Sequence, residues 1–408
     1  MGHGWDGELL SPEGPDMLDD AFGKRPVVLF AKGGETCWMN TAAMDEYKFT
    51  PDACYPEAYW RLLGKVLGDR DFIVPRFKAY MNMLNSRGIT SVKEMGFDDF
   101  YGFTDILAEL ENNNDLTLRV NFMSQPVGAD ADFTYGQKMR DRFKGEFLRF
   151  SGFNRMTDGS ISQLCADLKE PYSCSPDVYC AQEIDYKKIE NEVMEADAQG
   201  FRFSLHAQGD AAVCRVVDIY NKCRRDKNGR LVNRHSITDL EFSDPKDLER
   251  MGKLGVIAEI YPQIMSLYNR ADKISMINEK IGTDRGRYYW NRRKMADSGV
   301  TISCATDLPL LIDDIPESIY HACGALFPDG GEPFNPENTL EVPELLAAWT
   351  KGGAYNLYSE DRLGTLEVGK LADIAVLNAD VFNTPMQEIR NVKVCLTLVN
   401  GRTVYENI

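Results

Sequence analysis

The chain has 408 residues, 43% of them hydrophobic and 27% charged, with a formal net charge of −17. That balance argues against nucleic acid as a partner, because phosphate binding rests on clustered Lys and Arg. No apolar run approaches the roughly 20 residues that span a bilayer, which argues against a membrane span.

Met1-Gly-His-Gly-Trp-Asp6 has neither the basic nor the apolar region of a signal peptide. The ten cysteines are scattered and form no C-x-x-C pair. Reduced, mostly buried thiols and a cytoplasmic location are therefore expected. The length exceeds one ordinary core and suits a (β/α)8 barrel with an appendage.

Residues 1–60 are rich in Gly, Pro and Asp, with one strand-like run at 26–31. They read as a segment lying over a barrel mouth. Glu57 to Gly88 has a helical pattern and ends on a glycine cap. From there strands at 89–92, 116–123, 147–157, 201–205, 236–241, 256–261 and 301–305 alternate with helices. The helices fall at 100–112, 135–142, 185–198, 211–224, 244–251, 288–297 and 342–355. Seven barrel strands are evident over 61–360, where a closed barrel has eight. After Glu360 the chain turns to short β segments at 371–377, 394–399 and 402–406. Asn400-Gly401 is a hairpin signal there, so 361–408 reads as part of a small β-sandwich.

Phe201 to Leu205 is an apolar run ending in His206, followed by a small-residue turn and an amphipathic segment. This places His206 at the carboxyl end of a strand, where the loops of a parallel barrel converge on chemistry. The chain has only four histidines. Glu94, Asp158, Asp239 and Asp307 also fall at or near strand ends. An imidazole among carboxylates suits a divalent ion or an acid/base pair, although a lone Asp at a strand end more often caps the next helix. Trp5, Trp38 and Tyr55 read as buried packing or as a wall over the mouth. Arg292-Arg293 and Arg224-Arg225 read as solvated faces, and His321 as structural.

Gly364-Thr-Leu-Glu-Val-Gly-Lys-Leu-Ala-Asp-Ile-Ala-Val-Leu377, with the segment to Tyr405, resembles the carboxyl-terminal signature of the amidohydrolase superfamily. Ala348-Trp-Thr-Lys-Gly-Gly-Ala354 is similar to the helix before it. Gly4-Trp-Asp6, Gly34-Glu-Thr-Cys-Trp-Met-Asn40, Asp158-Gly-Ser160, Glu170-Pro-Tyr172 and His206-Ala-Gln-Gly-Asp210 resemble the amidohydrolase-3 branch. The resemblance runs in order across nearly the whole chain. It implies a metal-dependent hydrolase acting on a C–N, amide-type bond of a small molecule, with zinc or manganese as the ion.

The family's ligand set carries over in part. The first-strand His-x-His pair is absent from this sequence, and the match starts downstream of that strand. The position of the metal-bridging carboxylated lysine is Asn154, and the loop histidine is Glu35. By resemblance His206 is the fifth-strand ligand and Asp307 the eighth-strand aspartate that shuttles the proton of the attacking water. The sixth-strand histidine falls on Asp239, with His235 four residues earlier. The expected metal set is His206, Asp239 and Asp307, with His206 and Asp307 catalytic. Glu35, Trp38, Asn154, Asp158 and His235 are the substrate-contacting candidates. A second subunit, an oligomer contact or the residues before Tyr55 are expected to fill the missing strand's place. Metal-free acid/base catalysis by an isomerase or lyase, and a non-catalytic binding subunit, stand as the alternatives.

Overall fold

The computed structural model describes residues 2–5, 15–31, 37–47, 67–96, 102–126, 129–307 and 315–407. Packing divides the chain into two units, Met1–Lys78 with Asp98–Glu109 and Ala79–Phe97 with Leu110–Ile408. In the first unit, strands β1 (Gly2–Trp5) and β2 (Val28–Ala31) run parallel, and β3 (Cys37–Met39) is antiparallel to β2. Only β2 was expected; β1 and β3 are too short to show an alternating pattern. Asn40 is fully buried and joins β3 to the helix Thr41–Tyr47. Its Oδ1 accepts from Val27 N at 2.9 Å and Ala43 N at 3.1 Å, and its Nδ2 donates to Arg25 O at 2.9 Å.

The second unit holds the strands that the alternation announces. These are β4 (Ser91–Glu94), β5 (Arg119–Ser124), β6 (Leu148–Met156), β7 (Phe203–Ala207), β8 (Ser236–Asp239), β9 (Ile257–Ile260) and β10 (Thr301–Cys304). They form one sheet in chain order, with β4 and β10 at its edges. Every neighbouring pair is parallel. Helices cross over between strands, as Tyr186–Ala198 does before β7, Asp210–Tyr220 before β8 and Pro245–Leu254 before β9. Phe203, Leu205, Ile237, Ala258 and Ile302 bury one sheet face against Val193, Val213, Val217, Leu248 and Met295. Among the described residues no helix is long and apolar enough to cross a membrane.

The other face is polar, and it shows that the sheet curls. Lys93 on edge strand β4 pairs with Glu259 on β9, five strands away in the sheet order. The same ammonium donates to Ser204 Oγ on β7 at 3.1 Å. Side chains so far apart in a flat sheet meet only across the hollow of a half-barrel. Glu259 also accepts from Ser204 Oγ at 3.1 Å and Asn356 Nδ2 at 2.9 Å, and it lies 3.5 Å from Arg202 Nη2. Barrel interiors are usually filled by layers of Val, Ile and Leu; here an ionic network takes their place.

Asn356 reaches this interior from a helix that departs from the expected continuous 342–355 run. The segment is α-helical at Val342–Ala347, widens to a π turn at Ala348–Gly352 and returns to α at Gly353–Asn356. Gly352 permits the approach to β10, since a Cβ there would stand 1.9 Å from Ile302 O. Beyond it, β11 (Ile374–Leu377), β12 (Val394–Val399) and β13 (Arg402–Glu406) form an antiparallel sheet. Asn400 and Gly401 take φ of 52° and 77°, as the expected two-residue hairpin requires.

The interior network sets a pH dependence. Burial lowers the Lys93 ammonium to about 7; Glu259 opposes that shift and Arg202 adds to it. An unfolded lysine titrates near 10.4. Between those values the unfolded chain binds the proton and the folded chain does not, so stability rises with pH. Urea unfolding at pH 7 and pH 9.5 should show the wild type gaining stability. Lys93→Met should flatten that gain.

Candidate active site at the barrel mouth

Strands β6, β7 and β8 are adjacent and parallel, so their carboxyl ends share one rim. In register, His206 stands beside Met156 on one side and Thr238 on the other. Its Nε2 lies 2.7 Å from Asp239 Oδ2 and its Nδ1 3.5 Å from Asp158 Oδ1. Burial lowers the pKa of the imidazole, but hydrogen bonding and charge from Asp158 and Asp239 outweigh it, raising it to about 10. His206 is thus an imidazolium at neutral pH, wedged between two carboxylates.

Asp158 is buried and ties the rim together. It accepts from the backbone N–H of Gln208 and Gly209, each at 2.9 Å, and of Asp167 at 3.0 Å. Gly209 is needed there, because a Cβ would sit 2.2 Å from Asp167 O. Asp158-Gly159 and His206 to Gly209, separate in sequence, therefore form one joint. Gln208 completes it: its Oε1 accepts from Ile161 N at 3.0 Å and its Nε2 donates to Asp239 Oδ2 at 3.1 Å. Gln208 lay inside the quoted motif, but nothing in its chemistry singled it out.

Asp239, Leu240 and Asp307 all have positive φ, at 81°, 57° and 57°. Such backbone is uncommon for residues other than glycine and gathers at functional sites. Asp307 is exposed, three residues beyond β10. Its charge reaches both edges of the mouth. Burial raises the Glu94 carboxyl at the end of β4, and Asp307 raises it further. Burial likewise pushes up the Tyr261 hydroxyl after β9, with Asp307 and then Asp239 adding to the shift.

The remaining candidates scatter. Asn154 faces the interior beside Ser204, and its Nδ2 donates to Gln125 Oε1 at 2.9 Å. Its Oδ1 has no partner among the described residues. Trp38 is 6% exposed and packs with Leu18 and Val27 in the first unit, a core position. Glu35 lies outside the described residues.

His235 requires a correction. It precedes β8, one strand length of about 13 Å from the Asp239 end. Its Nδ1 accepts from Phe203 N at 2.9 Å and its Nε2 lies 3.1 Å from Asp197 Oδ1. The ring also stacks on Tyr220 at 4.9 Å. Both nitrogens are taken, so His235 pins the floor of the barrel and touches no ligand at the mouth. Arg292 requires one too: expected on a solvated face, it is 5% exposed, whereas Arg293 pairs on the surface with Asp297 and Glu344.

Catalytic zinc takes three protein ligands and a water. The ligand atoms of His206, Asp239 and Asp307 do not gather within 4.8 Å of one another; among the described residues that geometry is met by Asp197, Cys223 and His235. There the Asp197 carboxylate already accepts from His235, from Asn233 at 2.7 Å and from Arg224 N at 2.9 Å. That cluster is a closed hydrogen-bond network beside a guanidinium. The residues present at the mouth do not fit a three-ligand centre.

A family model described as "Amidohydrolase family" matches residues 1–405. The chain belongs to the amidohydrolase family. It is similar to the protein LONG AFTER FAR-RED 3 of Arabidopsis thaliana, 24% identical over 78% of this chain and 55% of that protein. It is also similar to the putative amidohydrolase YtcJ of Bacillus subtilis, 24% identical over 65% of this chain and 49% of the relative. The chain thus spans about half the length of these curated relatives. Among solved structures, an uncharacterized metal-dependent hydrolase from Pyrococcus horikoshii has the same fold, with a TM-score of 0.76 at 20% identity. That likeness covers 95% of this chain and 78% of the other. Amidohydrolases generally use divalent metals.

The joint at Asp158 sets a stability prediction. Asp158→Ala leaves three buried N–H groups without an acceptor, each costing about 1–3 kcal/mol. A fall in the thermal midpoint of roughly 5 °C or more is expected by calorimetry. A variant as stable as the wild type would show that the joint does not hold the rim.

Proposed function

We propose that this amidohydrolase cleaves the C–N bond of a small molecule with water, and that His206, Asp239 and Asp307 handle the protons at the mouth. The observation that carries the reading is His206 Nε2 held 2.7 Å from Asp239 Oδ2 at the carboxyl ends of adjacent strands. Hydrolysis of an amide-type bond needs a base for the water, a stabiliser for the developing oxyanion and a proton for the leaving nitrogen. An imidazolium supplies the proton for the leaving nitrogen. Asp239 and Asp158 keep the ring charged and oriented. Asp307, an exposed carboxylate at the same mouth, takes the proton of water, the role that the family resemblance gives to this position.

A second reading is favoured by the direct His206–Asp239 contact, with no three-ligand cluster at the mouth among the described residues: acid/base catalysis of an isomerase or lyase. Turnover in oxygen-18 water separates the two. Hydrolysis places the label in the new carboxyl product, and isomerisation or elimination does not.

His206→Asn, Asp239→Asn and Asp307→Asn should each lower kcat by about 10²–10⁴-fold on an N-acyl or cyclic amide substrate. Wild-type rates in all three variants would sink the assignment. Elemental analysis of protein purified without added metal or chelator should find less than one divalent ion per chain, and EDTA should leave the thermal midpoint unmoved. One equivalent of zinc or manganese, lost on His206→Ala, would instead establish that the pair opens around an ion.

A further inference from the structure

Beside the His206–Asp239 pair lies a narrow cleft lined by Asp239, Glu241, Tyr261, Trp290 and Arg292. Its polar lining combines two carboxylates with a tyrosine hydroxyl, an indole N–H and a guanidinium. A guanidinium carries five N–H donors and no acceptor. Arg292 is 5% exposed, yet it makes one side-chain hydrogen bond, from Nη2 to Tyr261 O at 3.2 Å. Its guanidinium also lies 5.8 Å from the centre of the Trp290 ring. No carboxylate pairs with it among the described residues.

The other buried arginines are matched. Arg202 bonds Asn356 and faces Glu259, and Arg119 pairs with Asp373. Leaving a buried charge unpaired is costly, and burial accordingly brings the Arg292 pKa down to about 10. Glu241 offsets this only in part, through its charge and not through a contact, since that carboxylate is held by the Tyr289 hydroxyl and by Lys273 at 3.6 Å.

The rest of the cleft is poised in the same sense. The indole N–H of Trp290 is buried without an acceptor among the described residues. Trp290 itself is held at φ 50°, with its backbone N–H on Glu241 O at 2.6 Å, a strained placement that packing must enforce. Arg292 is thus the basic side chain lining the cleft, and among the described residues no carboxylate forms an ion pair with it.

We infer that Arg292, with the indole N–H of Trp290, is an anion subsite that takes the carboxylate of a small-molecule substrate and points its scissile bond at His206. A planar guanidinium suits a carboxylate because it can offer two parallel N–H donors. The word substrate rests on the hydrolase reading above, but anion binding at Arg292 does not.

The probes are butyrate and its uncharged isostere butyramide, titrated into the full chain by calorimetry or ligand-observed NMR at fixed ionic strength. The wild type should bind butyrate at least 10-fold more tightly than butyramide. Arg292→Gln should erase that preference, and Arg292→Lys, which keeps the charge without the fork, should retain part of it. Equal binding of the two probes by the wild type, or binding of neither, would overturn the inference. So would an Arg292→Gln protein with the wild-type butyrate affinity. Should Arg292→Gln fail to fold, the wild-type comparison and Arg292→Lys decide. A chain that selects butyrate but hydrolyses no amide would remove the hydrolase reading and leave the anion site standing.

Discussion

Glu259 joins elements that the chain keeps far apart: Lys93 on the edge strand β4, Arg202 just before β7, Ser204 within β7 and Asn356 from the helix after the π turn. Among the described residues the seven-stranded parallel sheet ends on β4 and β10, and its own ladders do not fix how far it curls. Apolar packing on its outer face is indifferent to curvature. The attraction across the hollow is not. It falls steeply as the strands flatten, and in a dry interior it acts without screening. A buried cluster of polar and ionisable groups thus spans the hollow, with Lys93, Ser204, Glu259 and Asn356 hydrogen-bonded within it.

The mouth inherits its order from this floor. Ser204 and His206 stand two residues apart on the same face of β7, and Thr238 is in register with Glu259 in the neighbouring pair. Whatever fixes Ser204 against Glu259 fixes the pleat that presents His206 one step higher. Asp158 then closes the rim from above by accepting three backbone N–H groups. His206 is gripped by its strand below and by a loop joint above, so its ring has little freedom. Catalytic geometry requires that kind of double support.

The strands were legible because parallel strands buried on their outer face leave compact Val, Ile and Phe runs between amphipathic helices. His206 and Asp239 were legible for the same reason, since a polar residue ending such a run has few other places to go. What the sequence hid was set by tertiary partners. His235 lies next to a strand and looks like a ligand, but the Phe203 N–H and the Asp197 carboxylate that engage it are over 30 residues away in the chain. Arg292 and Arg293 are adjacent and chemically identical, yet one is buried and the other meets Asp297 and Glu344 at the surface. The interior network was equally invisible, because Lys93 and Glu259 read as ordinary alternating positions.

The two histidines of β7 and β8 show how local donors decide where a proton can be held. Both are buried, and both face an aspartate about 3 Å away. His235 has a backbone N–H pointing at its Nδ1, which fixes that nitrogen as an acceptor. Burial lowers its pKa, Asp197 works against that shift, and Arg202 adds to it. His206 has no N–H donor at either nitrogen and a carboxylate on each side, so the charged form wins despite equal burial. Burial thus favours the neutral form of His235 at the floor, and the flanking carboxylates favour the protonated form of His206 at the mouth.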